Sequence, residues 1–111
     1  MTMMTKKTPS SKRTNPPRDV VKTDDFIKDW KKLSHSGKHD MKVLKEVMML
    51  LIADDAPLSP EWKDHKLTGK YEGFRECHAK GDLLLIYKIE EARKILITFV
   101  RAGTHSELLG I

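Results

Sequence analysis

Apolar residues are spaced one way in the first half of this chain and another way in the last third. Arg18 to Lys22 (RDVVK) is a short β-branched run that predicts an edge strand. From Asp24, a candidate helix cap, Phe26, Ile27, Trp30 and Leu33 recur at helical spacing until Ser36-Gly37 ends the pattern. Asp40 is the candidate cap of a second helix, in which Met41, Leu44, Val47, Met48, Leu51 and Ile52 form a wide apolar stripe. Met41, Met48 and Met49 are expected to fill gaps in the core. The short break between the two segments predicts an antiparallel helical hairpin, closed by Pro57 and Pro60. Later, Leu83 to Ile89 and Ile95 to Val100 are almost wholly apolar, and they predict adjacent antiparallel strands joined through the charged turn Glu90 to Lys94. Gly73 to Ala79 is expected to be the strand before them, and Gly103-Thr104-His105 a turn into a short segment, Ser106 to Leu109. The order is β-α-α-β-β-β: an α+β domain with a helical hairpin on one face of an antiparallel sheet and a short C-terminal helical segment.

Composition narrows the setting. A chain of 111 residues has room for one modest core, here placed in residues 18–111. No apolar run approaches the roughly 18 residues that span a bilayer, and the N-terminus lacks the apolar stretch of a secretory signal. The single cysteine fits a reducing cytoplasm, where the protein is expected to reside. The net charge of +5 is misleading. Five of the 21 basic residues lie in residues 1–18, which hold no acid, so sixteen remain against sixteen acids in the rest. Residues 1–17 are polar and basic, with nothing apolar to bury after the early methionines, and are expected to be a flexible tail. Any nucleic-acid reading of the domain must therefore rest on a local patch.

The candidate chemistry is concentrated in Trp62 to Asp82 (WKDHKLTGKYEGFRECHAKGD), which holds two of the five histidines, the cysteine and nine charged residues. A structural zinc site calls for four ligands at short paired spacings. Cys77 and His78 are adjacent, and His65 and His105 lie far off in sequence, so no metal is expected. Nothing marks Cys77 as a reactive thiol; a small residue on the inner face of a strand accounts for it. Metal-independent RNA cleavage suits these residue types better. It needs a base for the 2′-hydroxyl proton, an acid for the departing 5′-oxygen, and cations for the phosphate; histidine serves as either of the first two and arginine grips phosphate. By themselves these residues leave a nuclease and a plain binding surface both open.

The ordered set KDHKLTGKYEGFRECHAKGDLLLIYKI followed by RAGTHSELLG resembles the YafQ branch of the RelE/ParE toxin superfamily, over about residues 18–110. That resemblance implies a RelE-like fold and a type II toxin, a ribosome-dependent mRNA endonuclease that needs no cofactor. It implies as partners mRNA on the 70S ribosome and a cognate antitoxin, a ribbon-helix-helix protein of the DinJ type, with operator DNA reached only through the antitoxin complex. His65, His78, Asp82 and His105 match the family's catalytic positions. Arg75 is expected to contact a phosphate, with Lys63, Lys66, Lys70 and Leu109 at the RNA. The family often has an aromatic ring where this chain has Leu109, and Glu76 stands where Asp is common. The alternatives are a ParE-like toxin acting on a protein target such as gyrase, and a non-catalytic RNA- or partner-binding module.

Overall fold

A computed structural model describes residues 17–53, 57–90, 92 and 95–110. Residues 1–16, and with them nearly all of the expected tail, lie outside the described residues, as does most of the Glu90 to Lys94 turn. The chain runs through strand β1 (Asp19–Lys22), helix α1 (Asp24–Ser36), helix α2 (Met41–Ala53), β2 (His65–Lys66), β3 (Arg75–Lys80), β4 (Leu83–Ile89), β5 (Leu96–Thr104) and helix α3 (His105–Leu109). Single 3-10 turns occupy Pro60–Trp62 and Gly69–Tyr71. The five strands form one sheet in the order β1-β5-β4-β3-β2.

The sheet corrects the sequence reading in two respects. β1 is an edge strand as expected, but it pairs with β5 in parallel, while all other pairs are antiparallel. The two-residue strand β2 adds a fifth strand at the opposite edge, too short to leave a periodic signal. Two helices stand between β1 and the next strand, so the chain can return and lay β1 beside β5 in the same direction, the usual geometry of a helical crossover.

Local chemistry explains the element ends. Thr23, not Asp24, caps α1: its hydroxyl accepts from Phe26 N at 3.0 Å and donates to Val100 O at 2.8 Å. A threonine oxygen at the cap satisfies an otherwise orphaned amide, and Asp24 and Asp25 then sit in the first turn, where the helix dipole favours acids. Gly37 ends α1 in the left-handed region (φ 69°), and Asp40 caps α2 by accepting from Lys42 N at 3.0 Å. Of the three methionines expected in the core, Met48 is buried and Met41 packs at its margin, but Met49 is 60% exposed. One residue on from Met48, it is rotated about 100° around the helix and faces water.

β4 decides the layering. Leu83, Leu85 and Tyr87 pack with Phe26, Leu33, Leu44, Val47, Leu51 and Phe99 beneath the two long helices. Leu84 and Ile86 point the other way, onto Tyr71 and Leu108. All five are at most 2% exposed, so the strand reads as a continuous apolar run because both faces are covered. The second, smaller layer, made by the Gly69–Tyr71 turn and α3, leaves part of its sheet face open. The candidate site lies on that open part.

Candidate active site

Sheet register assembles the site. Paired residues in an antiparallel sheet share a face, so His65↔Glu76↔Ile86↔Arg101 forms one row and His78↔Leu84↔Gly103 the next. Both rows face away from the long helices, as Leu84 and Ile86 do. Cys77 pairs with Leu85 and belongs to the helix-side core, fully buried as expected, with its thiol pushed up to about 12 by burial and then by nearby Asp64 and Glu76. It is a packing residue. A bulge at Ala79 shifts the register between His78 and Lys80, and Gly81, at φ 56°, turns the chain into β4. Because Leu83 pairs with Thr104, the residues just beyond them, Asp82 and His105, meet at the same end of the sheet.

The three histidines form a chain of rings: His65 to His78 at 6.2 Å between centroids, and His78 to His105 at 5.5 Å. Asp82 Oδ1 contacts His105 Nδ1 and accepts from the His105 amide at 3.2 Å. The side-chain bond to His105 is the main reason that the Asp82 carboxyl is held below its ordinary range. With Nδ1 engaged by Asp82, Nε2 is the His105 nitrogen free for a substrate. His105 is the first residue of α3, which is fixed by a reciprocal cap: Thr104 Oγ1 accepts from Glu107 N at 3.2 Å, and Glu107 Oε1 accepts from Thr104 N at 2.9 Å. Glu107 also binds Lys32 of α1 at 3.1 Å, and that lysine is the second cause, after the Thr104 amide, of its lowered carboxyl pKa.

Glu76, which stands where the family commonly has Asp and has no role assigned from sequence, lies at the centre of the histidine face. It is 2% exposed, and its Oε1 stands 3.4 Å from His65 Nε2 and 3.5 Å from His78 Nε2. Its Oε2 is buried without a hydrogen-bond partner among the described residues. His65 Nδ1 donates to the Lys63 carbonyl at 2.8 Å, which turns its Nε2 toward Glu76. His65, Glu76 and His78 each offer a ligand atom within 4.8 Å of the others, a geometry able to hold a metal ion. Sequence spacing argued against such a site because β2 and β3 were not read as paired.

The expected phosphate contact Arg75 is not part of this face. It pairs with Tyr87, on the helix side, and binds Asp64 through two nitrogens, at 3.2 Å from Nε and 2.7 Å from Nη2. The same carboxylate accepts from the Tyr87 hydroxyl. This arrangement raises the Arg75 pKa and occupies its planar fork, so Arg75 is a strut between the Trp62–His65 loop and the sheet. Lys66 pairs with Arg75 and shares its side of the sheet, away from the histidines. Lys63, exposed with φ 52°, serves His65 through its carbonyl. Lys70 and Leu109 do come together: with Tyr71, Ser106 and Leu108 they line an open groove of about 470 Å³ between the Gly69–Tyr71 turn and α3. Arg101, in the RAGTH motif, was not singled out by the sequence reading, yet register puts it in the row of Glu76 and His65. Its guanidinium is held by Asp29 of α1 at 2.7 and 3.0 Å, and Asp29 also accepts from Ala102 N at 3.0 Å.

Comparison with known proteins settles the lineage. The family described as "Bacterial toxin of type II toxin-antitoxin system, YafQ" matches residues 18–110. This chain belongs to the YafQ family. It is similar to the mRNA interferase toxin YafQ of Escherichia coli K12, with 40% identity over 93 residues that cover 84% of this chain and 97% of that protein. The crystal structure of the E. coli DinJ-YafQ complex aligns with a TM-score of 0.72 at 40% identity, covering 84% of this chain and 99% of that one. A metal-bound toxin from Helicobacter pylori aligns with a TM-score of 0.67 at 42% identity, covering 82% and 98%. The RelE-like α+β architecture expected from the motifs is thus the fold of solved YafQ structures. Among the described residues no helix is long and apolar enough to cross a membrane.

Proposed function

We propose that this YafQ-family protein is a type II toxin that cleaves mRNA on translating ribosomes in the cytoplasm and is neutralised by a cognate antitoxin of the DinJ type. The observation that carries this reading is the row His65, His78 and His105 on one open sheet face, with Asp82 fixing His105. A ParE-like toxin acting on a protein target has no need of such a row. The relatives named mRNA interferase and the solved DinJ-YafQ complex support the substrate and the partner.

The chemistry is transesterification. The ribose 2′-oxygen attacks the adjacent phosphorus as its proton passes to a base. The bond from phosphorus to the 5′-oxygen breaks, and that oxygen takes a proton from an acid. The products carry a 2′,3′-cyclic phosphate and a 5′-hydroxyl, and no metal is required. His105, with Nε2 free and Asp82 behind it, is the acid. Asp82 keeps the ring oriented, while His78 and His65, beside the buried Glu76, serve as base and phosphate contact. Arg101, its guanidinium paired with Asp29, ties α1 to the sheet beside this row, and Lys70 and Leu109 line the path of the flanking RNA.

The test is expression of the chain alone and together with its neighbouring antitoxin, followed by primer extension on mRNA from arrested cells. Growth arrest with discrete breaks inside translated reading frames, both suppressed by the antitoxin, is the expected result. Arrest with intact mRNA would overturn the nuclease and favour a protein target. Equal cleavage of naked and translated RNA would overturn the ribosome dependence.

A second reading of the same face is metal binding. His65, Glu76 and His78 have the donor types and spacing for it, and a relative of 42% identity is a metal-bound toxin. The two imidazoles and one carboxylate suit zinc, copper(II) or nickel rather than magnesium.

A further inference from the structure

We infer that a transition-metal ion and RNA cleavage exclude each other at this face, so that the metal is an off-switch and not a cofactor. The inference rests on the metal-binding reading above and on the nuclease reading, and goes beyond both by assigning the ion its effect.

The trio is nearly in place for an ion. Zinc bonds of roughly 2.0–2.2 Å to nitrogen and oxygen in a tetrahedron put neighbouring ligands about 3.3–3.5 Å apart. Glu76 Oε1 already stands 3.4 Å from His65 Nε2 and 3.5 Å from His78 Nε2. These separations are long for hydrogen bonds and right for ligands sharing an ion. The outer contacts agree. His65 Nδ1 is bound to the Lys63 carbonyl, which turns Nε2 inward, as carbonyl partners do for metal-ligating histidines. Glu76 is a buried carboxylate whose Oε2 has no hydrogen-bond partner among the described residues, an arrangement that favours a cation beside it.

The same nitrogens are the ones that cleavage uses. An imidazole nitrogen bound to a metal can neither take nor give a proton, and both His65 and His78 turn Nε2 toward Glu76. An ion there removes them from catalysis together. His78 is also the link between His65 and His105, its ring 5.5 Å from His105, so an ion fixing His78 reaches the part of the site where the 5′-oxygen must leave. Lewis-acid help from the ion would have to make up for the loss of two of the three histidines.

The experiment uses the full chain released from its antitoxin and freed of metal. Zinc(II) is titrated by calorimetry, and copper(II) binding is followed by electron paramagnetic resonance. Toxin loaded with one equivalent of zinc is then compared with metal-free toxin in cleavage of mRNA on translating ribosomes, before and after a zinc-selective chelator. Expected are one ion per chain, nitrogen hyperfine structure for copper, at least tenfold weaker binding in Glu76→Gln and in His65→Ala, and at least tenfold slower cleavage by the loaded toxin, restored by chelation. His65 is half exposed, so its variant keeps the test open if Glu76→Gln does not fold. Absence of binding would overturn the metal reading and the switch with it. Binding with unchanged or faster cleavage would leave the site standing and overturn the exclusion. Metal-free toxin that binds zinc yet never cleaves would overturn the nuclease reading, a failure separable from the other two.

Discussion

Replacing Asp64 with alanine separates the two roles that Arg75 could have. In the structure Asp64 is shared by the Arg75 fork and the Tyr87 hydroxyl, and ties the Trp62–His65 loop to β3 and β4. Tyr87 is 1% exposed, so its hydroxyl would be left without an acceptor inside the core, at about 1–3 kcal/mol. Arg75 has a side chain one-third exposed, and water can take over part of what the carboxylate gave it, so its loss adds only about 1 kcal/mol. The sum is a destabilisation of about 2–4 kcal/mol, or a fall in Tm of roughly 10–25 °C for a domain of this size. Urea unfolding of wild type, Asp64→Ala, Tyr87→Phe and the double variant would measure it. Tyr87→Phe alone should cost about 1 kcal/mol, and the double variant should be less destabilised than the sum of the two, because the orphaned hydroxyl is gone. A loss below 0.5 kcal/mol for Asp64→Ala, or strictly additive effects, would refute the strut and return Arg75 to the RNA.

Further outcomes follow from the same geometry. Cys77 should resist alkylation in the folded protein at pH 8 and react only at the rate of global opening, as followed by mass spectrometry. Burial raises both the Cys77 thiol and the Tyr87 hydroxyl above their ordinary values. The unfolded chain therefore loses these protons first, and stability should hold below pH 9.0, the ordinary thiol value, and decline as pH rises above it in a urea-midpoint series. Gly103→Ala would place a Cβ 3.0 Å from Glu107 Oε1 and 3.2 Å from Leu108 Cδ2, so it should shift α3, cost about 1–3 kcal/mol by overpacking, and slow cleavage. Thr104→Ala should remove the α3 cap at a cost of about 1 kcal/mol, with His105 less well placed; paired calorimetry and cleavage assays would read both effects.

Periodicity and register explain what could be read from the chain and what could not. The long helices were legible because Phe26, Leu33, Leu44, Val47 and Leu51 recur on one side of each, and β4 because both of its faces are covered. Two-residue β2 carries no period, and neither does the direction in which β1 pairs, so the fifth strand and the parallel edge emerge only from tertiary packing. Gly103-Thr104 looked like a turn by composition, yet β5 runs through both, and Thr104 then caps α3 directly. The candidate site depended on the motif resemblance, since His65, His78, Asp82 and His105 are spread over forty-one residues of sequence. Had the β4–β5 register been known, Asp82 opposite His105 would have followed from it. Alternation along β3 already divided Arg75 and Cys77 from Glu76 and His78; which set faced the helices waited on the burial of Cys77. Glu76 stands in the motif where Asp is common, but its central place is not legible there, because a buried carboxylate beside two histidines leaves no signature in spacing.

The histidine row is proposed to cleave RNA by acid-base chemistry, with His105 as the acid. Single-turnover cleavage of mRNA on translating ribosomes by His105→Ala, beside wild type, tests it most directly, with the product ends identified by mass spectrometry. Expected are a variant that remains folded, a rate lower by about 10²–10⁴-fold, and wild-type products ending in a 2′,3′-cyclic phosphate and a 5′-hydroxyl. A folded His105→Ala variant that cleaves at the wild-type rate, or wild-type products bearing a 5′-phosphate, would contradict it.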